Sequence, residues 1–113
     1  MTAPGWQKVA TLAAFGSRNL ADVVVGRELV VLVRRSTGVE AYQGLCPHEY
    51  ARLSEGRLET DDEGDWLTCS RHLARFRLGD GVCPRGWRLP PLRRYAVRVE
   101  DDAVWLADPL APL

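Results

Sequence analysis

The sequence CPHEYARLSEG, residues 46–56, and the sequence CSRH, residues 69–72, decide the fold of this chain. Two of its three cysteines and both of its histidines lie in these motifs, as Cys46, His48, Cys69 and His72. Twenty residues separate His48 from Cys69, so each motif has a loop of its own. We therefore expect the two loops to close around one metal centre.

The donor types and their spacing discriminate between two kinds of metal centre. Thiolates together with imidazoles suit either zinc or an iron–sulfur cluster. Zinc modules usually pair like donors in sequence, whereas each motif here contributes one cysteine and one histidine. In a Rieske [2Fe–2S] centre, two cysteines bind one iron and two histidines bind the other, so each loop must reach both irons. The Cys-x-His and Cys-x-x-His spacings fit that requirement, and a Cys2His2 zinc site is the alternative.

The pattern resembles that of Rieske-type [2Fe–2S] ferredoxins, in particular the soluble ferredoxin components of bacterial ring-hydroxylating dioxygenase systems. The resemblance rests on the two motifs together with Phe76, Gly79 and Gly81, and it covers nearly the whole chain. It implies an all-β, Rieske-like fold of antiparallel sheets or a partly open barrel. Residues 1–113 would form a single domain, with a small cluster-binding subdomain made of two loops at roughly residues 45–80.

The same resemblance implies an electron carrier rather than an enzyme. Cys46, His48, Cys69 and His72 would ligate one [2Fe–2S] cluster per chain. The protein would carry single electrons from a flavin-dependent ferredoxin reductase to the terminal component of a Rieske non-haem iron oxygenase of the aromatic ring-hydroxylating type. A small Rieske subunit of a nitrite-reductase-type or other multicomponent oxidoreductase is the alternative, and a zinc-stabilised interaction module is a less favoured one.

The resemblance also bears on the redox potential of the cluster. High-potential relatives carry a disulfide between the loops, and the matching positions here are Ala51 and Arg71. They also carry hydroxyl donors to the cluster sulfurs, where this chain has Ala74 and Phe76. Donors stabilise the more negative reduced state, so their absence lowers the potential. We expect a low-potential ferredoxin, and a merely structural role for the remaining thiol, Cys83.

Composition narrows the possible partners and the location. The formal net charge is +0, with 15 basic and 15 acidic residues and no basic tail, which gives no indication of nucleic-acid binding. No apolar run approaches the roughly 18 residues of a membrane helix, and residues 1–10 lack the apolar region of a signal peptide. We therefore expect a cytoplasmic protein without a membrane partner, and a monomer by default.

Charge is divided unevenly along the chain. Residues 1–65 hold 7 basic and 10 acidic side chains, and residues 66–113 hold 8 basic and 5 acidic ones. Two faces of opposite charge could then meet two different partners. Interspersed surface charge explains the counts equally well.

Apolar patterns predict an antiparallel meander that leads into the first motif. Residues 6–12 read as a first strand, and the β-branched residues 23–25 and 29–33 read as half-buried strands around a tight turn. Residues 39–45 then form the strand that delivers the chain to Cys46.

Further along the chain, two hairpins and a tail are predicted. The acidic run at residues 59–65 reads as a solvated hairpin tip, with a docking patch as the alternative. Residues 95–99 and 103–106 form a closing hairpin, and residues 109–113 a loose tail.

Overall fold

The computed structural model describes residues 5–47, 50–71, 74–84 and 88–113. Their strands form three antiparallel sheets, which confirms the predicted all-β class. The first sheet has the order β1-β10-β9, from β1 (Gly5–Thr11), β9 (Val97–Glu100) and β10 (Ala103–Asp108). The second has the order β2-β3-β4-β8, from β2 (Leu20–Val25), β3 (Glu28–Arg35), β4 (Gly38–Gln43) and β8 (Arg94–Tyr95). The third has the order β5-β6-β7, from β5 (Arg57–Asp61), β6 (Gly64–Thr68) and β7 (Arg75–Arg77), and short 3-10 helices cover Leu12–Arg18 and Leu53–Glu55.

The second sheet is the middle layer of the molecule and is covered on both faces. In β3, Val30 and Leu32 point to one side and Val31 and Val33 to the other, and all four are completely buried. The prediction of a half-buried strand was therefore wrong here. A continuous apolar run is what a strand needs when both of its faces meet a core.

Two separate hydrophobic cores lie on the two faces of this middle sheet. Between the first and second sheets lies what we call the sheet core, formed by Phe15, Val25, Val30, Leu32, Ala41, Tyr95, Val104 and Leu106. Between the second sheet and the third lies what we call the loop core, formed by Leu20, Val31, Val33, Tyr42, Cys46, Leu53, Leu67, Cys69, Ala74, Phe76, Leu78 and Leu92. Both cysteines of the motifs belong to the loop core.

Long-range pairing corrects the predicted topology at both ends of the chain. The meander holds for β2, β3 and β4, but β1 pairs with β10 from the opposite end of the sequence, and β8 joins β4 rather than the closing hairpin. The tail is not loose, because the Ala96 N–H donates to the Ala111 carbonyl (2.8 Å) and the Leu113 N–H donates to the Arg94 carbonyl (3.0 Å).

Within the described ranges, no helix has the length and apolar character needed to cross a membrane.

Candidate metal centre

The first loop turns Cys46 inward from the end of β4. The Cys46 N–H donates to the Ala51 carbonyl (2.8 Å), and the Tyr50 N–H donates to the Cys46 carbonyl (2.7 Å). Leu45 and Arg52, at the two ends of the loop, form an isolated antiparallel bridge. These bonds fix a tight loop in which the Cys46 side chain is completely buried.

The second loop repeats this arrangement at the end of β6. The Cys69 N–H donates to the Ala74 carbonyl (2.8 Å), as Cys46 does to Ala51. Cys69 is 1% exposed, and it shares the loop core with Cys46 and with the completely buried Ala74 and Phe76. Two loops separated in sequence thus bring two thiols into one buried group of side chains.

Leu53 and Gly56 hold the two loops against each other. Leu53 is completely buried in the loop core. A Cβ atom at Gly56 would lie 2.1 Å from the carbonyl oxygen of Thr68, the residue before Cys69. The φ angle of Gly56 is −80°, so glycine is required there by the close approach of the second loop's strand and not by a left-handed backbone.

The predicted histidine ligands, His48 and His72, lie outside the described residues, so the structure does not test their positions. Among the residues that it does describe, no three His, Cys, Asp or Glu side chains come close enough together to hold a metal ion. The two buried thiols would therefore need donors from elsewhere in the chain. Soft thiolates from separate loops in an apolar core suit an iron–sulfur cluster, so the described part of the site fits that cofactor.

Hydroxyl groups near the thiols are engaged elsewhere. The completely buried Tyr42 hydroxyl accepts the Gly79 N–H (2.8 Å) and donates to a carboxylate oxygen of Glu40 (2.5 Å). Burial, and then the bond to Glu40, raises the pKa of Tyr42, so its hydroxyl stays protonated. The Thr68 hydroxyl donates to Glu59. Neither hydroxyl is available to a group bound at the thiols.

The Tyr42 hydroxyl belongs to a polar network that ties the second sheet to the third. Arg35 donates to Glu40 (2.8 Å) and to Asp65 (2.9 Å), and Asp65 lies at the start of β6, next to the β5–β6 turn. Sequence reasoning missed this network, which we call the Tyr42 network. Its members are ordinary surface residue types whose contacts depend on the packing of two sheets.

Cys83 also lies closer to the site than the sequence indicated. It is half-buried and packs against the loop core. Burial, and next the proximity of Cys46, raises the pKa of its thiol. No motif in the sequence marks Cys83 as close to Cys46 and Cys69, because the segment after β7 packs against the loop core only in the folded chain.

The acidic run forms the β5–β6 hairpin, and three of its five carboxylates, those of Glu59, Asp61 and Asp65, accept hydrogen bonds within the chain. Asp61 accepts hydrogen bonds from Arg75 (2.7 Å) and from the Trp66 indole (2.9 Å). The bond from Arg75, followed by those from Trp66 and the Glu63 N–H, lowers the pKa of Asp61 to about 2. Asp65 is bound by Thr60 and Arg35. Arginines thus compensate two of the five negative charges, which favours the hairpin-tip prediction over a docking patch.

Comparison with known proteins decides the family. The family model for the Rieske [2Fe–2S] domain matches residues 5–96. The chain belongs to the Rieske [2Fe–2S] domain family. Its cofactor is therefore a Rieske [2Fe–2S] cluster, and the predicted resemblance is confirmed.

A similar protein of known role is the ferredoxin component of the alkene monooxygenase system of Xanthobacter autotrophicus, 33% identical over 82 residues. That match covers 71% of this Rieske chain but only 62% of the relative's length.

Solved structures confirm the Rieske-like fold. The ferredoxin of carbazole 1,9a-dioxygenase from Nocardioides aromaticivorans superposes with a TM-score of 0.76 at 26% identity, covering 99% of this chain and 100% of that one. A chain from a complex of reduced oxygenase and oxidised ferredoxin in carbazole 1,9a-dioxygenase gives 0.75 at 27% identity, with 90% and 92% covered. The Escherichia coli protein NirD gives 0.79 at 24% identity, with 93% and 97% covered.

Proposed function

We propose that this Rieske protein is a low-potential ferredoxin that carries single electrons from a flavin-dependent reductase to the terminal component of a Rieske non-haem iron oxygenase. The observation that carries the proposal is the pair of thiols, Cys46 and Cys69, buried in one core by two similarly closed loops. The relatives named as ferredoxin components of a monooxygenase and of a dioxygenase support the role of carrier.

In this proposal Cys46 and Cys69 hold one iron, and His48 and His72 hold the other. The cysteines would occupy the inner side of the site, since both are buried in the loop core. The cluster supplies reversible one-electron chemistry, and neutral imidazoles make it less negative than an all-cysteine cluster, which raises its potential. Apolar side chains of the loop core would enclose the cysteine-bound iron. The electron would therefore leave through the iron that the histidines bind.

A low potential within the Rieske range is supported by what surrounds the thiols. Ala74 and Phe76 are completely buried in the same core and offer no side-chain donor. The hydroxyls of Tyr42 and Thr68 are committed to Glu40 and Glu59. Donors to the sulfurs would stabilise the extra negative charge of the reduced state, so a site without them favours the oxidised state.

Absorption and EPR spectra of the purified protein, before and after dithionite, test the cluster. We expect a red-brown protein with a rhombic reduced-state signal and two irons per chain. A colourless protein that retains stoichiometric zinc after anaerobic purification would overturn the proposal.

A reductive titration tests the potential, which should fall below about +100 mV within the Rieske range of about −150 to +300 mV. The Ala74→Ser variant places a hydroxyl next to Cys69 and should raise the midpoint potential. Ala74→Gly removes only a methyl group and is the matched control. An unchanged potential in Ala74→Ser would contradict the donor argument.

A small Rieske subunit of a nitrite-reductase-type enzyme is the second candidate, since a structure described as a putative nitrite reductase small subunit shares the fold, with a TM-score of 0.78 at 23% identity. The chain's retention of two cysteines and two histidines in the motifs favours the carrier. Stable co-purification with a large reductase subunit, in place of transient one-electron exchange, would support the subunit role.

A further inference from the structure

A groove of about 450 Å3 opens beside the first cluster loop. It is lined by Leu45, Pro47, Tyr50, Pro90, Pro91 and Arg93, with Gln43 at its edge. Gln43 fixes the two sides to each other, since its side chain donates to the Leu45 carbonyl (3.0 Å) and accepts the Arg93 N–H (2.8 Å). These two hydrogen bonds hold the first loop against residues 90–93, which form the other side of the groove.

The groove exposes large side chains that the loop core leaves uncovered. Tyr50 is 73% exposed and Leu45 is 37% exposed. Tyrosine and arginine are enriched at protein–protein interfaces, where their large side chains supply much of the binding energy. Exposed tyrosine, leucine and proline next to a loop that carries a cluster ligand are suited to contact with another protein.

Positive charge predominates in the stretch of sequence that supplies one side of this groove. Residues 69–95 contain seven arginines and a single acidic residue, Asp80, which is paired with Arg77, while Arg75 is paired with Asp61 on the third sheet. The first loop adds one residue of each sign, Glu49 and Arg52, and Arg52 lies 3.6 Å from Asp22. Because the net charge of the whole chain is +0, a local excess of this kind sets the sign of the field at the site.

Within the described ranges, three of these arginines are open to a partner. Arg71, which precedes His72, and Arg88, which lies two residues before Pro90, are exposed, and neither has an ion-pair partner in the described part of the chain. Arg93 reaches Glu28 only at 3.9 Å, where both side chains are more than half exposed. Exposed pairs of this kind contribute little to stability and can exchange partners. We call the groove together with Arg71 and Arg88 the exit face.

We propose that the exit face docks a protein partner whose surface presents carboxylates, so that the electron leaves this ferredoxin across a contact between basic and acidic surfaces. This inference rests on the proposed function and adds to it the charge of the oxygenase surface that receives the electron. Complementary charge steers diffusional encounter and orients the partner, which is what a transient carrier needs.

Small charged oxidants test the sign of the field at the exit face. The full-length, cluster-loaded protein is reduced, freed of dithionite and mixed in a stopped-flow instrument with hexacyanoferrate(III) or with tris(1,10-phenanthroline)cobalt(III). Each oxidant accepts one electron from one reduced protein and becomes the iron(II) or cobalt(II) complex. The rate constant with the trianion should fall about tenfold or more as ionic strength rises from about 0.01 M to about 0.5 M. The rate constant with the trication should not fall.

Charge-reversal variants test which side chains produce the positive field. Arg71→Glu and Arg88→Glu should each lower the low-salt rate with hexacyanoferrate(III) about three- to tenfold, and the difference should vanish at high salt. Lys8→Glu is the control, because it makes the same change of charge at an exposed position of β1, in the sheet on the far side of the sheet core. It should change the rate constant less than about twofold. The midpoint potential of each variant is measured alongside, since Arg71 precedes the proposed ligand His72. The salt dependence then separates attraction of the oxidant from any shift in driving force, because a shift in driving force persists at high salt.

Macromolecular probes test docking itself. Polyglutamate should slow the hexacyanoferrate(III) reaction and polylysine should not. If small anions follow the expected salt dependence but polyglutamate does not compete, the face attracts only small ions and the docking proposal is overturned. Retention of the protein on immobilised duplex DNA at about 0.15 M salt would assign the face to nucleic acid instead.

The two proposals fail in different ways. A cluster-loaded protein that reacts faster with the cobalt(III) trication at low salt, and shows no loss in the arginine variants, overturns the acidic-partner inference alone. A protein without a cluster overturns the proposed function, and this inference with it.

Discussion

The two cores of this protein differ in what closes them. The sheet core is filled by apolar and aromatic side chains, most of them from two sheets, such as Leu32, Val104 and Leu106. The loop core contains two cysteines and a buried tyrosine hydroxyl, and one of its walls consists of loops. Apolar burial can stabilise the first without any cofactor, whereas the second is arranged around ligands that gain stability from binding one. The difference indicates that the scaffold and the cofactor site are stabilised separately.

The largest expected effect is the loss of one cysteine. Cys69→Ala should abolish cluster binding, seen as loss of iron and of visible absorption. Amide hydrogen exchange should then become at least about tenfold faster at residues 45–71 and 74–84, since metal sites contribute to folding free energy. Amides of β10 should stay protected, because that strand lines the sheet core.

Cys83→Ala is the control, since Cys83 borders the loop core and lies outside both motifs. It should retain iron. Equal loss of protection in both cores of Cys69→Ala would show that the scaffold and the cofactor site are not separately stabilised.

The second effect comes from the contact between the two loops. Gly56→Ala forces a Cβ atom to within 2.1 Å of the Thr68 carbonyl oxygen, so the strand that leads to Cys69 must move. We expect a loss of about 3 kcal/mol or more in the free energy of unfolding, and faster cluster release, measured by loss of absorption in urea. Gly5→Ala, where no atom lies within 4 Å of the new Cβ, should be close to neutral. If both variants lost a similar amount of unfolding free energy, the contact between the two loops could not explain the loss in Gly56→Ala.

The third effect compares one tyrosine from each core. Tyr42→Phe removes a hydroxyl that bonds both Gly79 and Glu40, and leaves those partners in a buried setting, so it should cost about 1–3 kcal/mol. Tyr95→Phe, in the sheet core, removes only the acceptor of a 3.2 Å bond from Arg93 and should cost less. Urea unfolding of both variants measures the difference. An equal loss of unfolding free energy in the two variants would show that the Tyr42 network adds no more stability than the Tyr95 hydroxyl does.

Alkaline pH sharpens the test of Tyr42. Below pH 10, the ordinary pKa of tyrosine, the phenol is protonated in both the folded and the unfolded chain. Above it the unfolded chain ionises first, because the folded pKa of Tyr42 is raised, so the stability of the wild type should fall as pH rises. Tyr42→Phe lacks this loss, and the gap between the two proteins should narrow above about pH 10. A gap that stays constant would mean that Tyr42 ionises normally in the fold.

The sequence was most informative where chemistry requires particular residues. Two Cys–His motifs predicted the family and its cofactor, and the burial of Cys46 and Cys69 in one core agrees with their proposed role. Local alternation of polar and apolar residues also marks β7, where Phe76 is buried between the partly exposed Arg75 and the exposed Arg77. Both signals depend only on residues close together in sequence, so they can be read without knowing which strands pair.

What the sequence could not predict depends on pairing across long distances. The pairing of β1 with β10 joins residues about a hundred positions apart, and no local pattern encodes it. The apolar run in β3 suits a strand covered on one face or on both, and only the presence of a third layer decides between them. The Tyr42 network and the position of Cys83 follow from that same layering.

The smallest expected effect lies on the outer face of the third sheet, away from both cores. Arg75 stacks on Trp66, 4.2 Å from the ring centre, and bonds Asp61, whose pKa it lowers to about 2. The bond contributes stability above the ordinary carboxyl pKa of 3.8, and the contribution is lost as pH falls toward the lowered value. At neutral pH, Asp61→Asn should lower the urea midpoint less than Tyr42→Phe does. Salt screens exposed charges but not buried hydrogen bonds, so about 0.5 M salt should reduce the Asp61→Asn effect and leave the Tyr42→Phe effect unchanged. The reverse pattern would show that the Tyr42 contribution depends on exposed charges and that the Asp61 contribution does not.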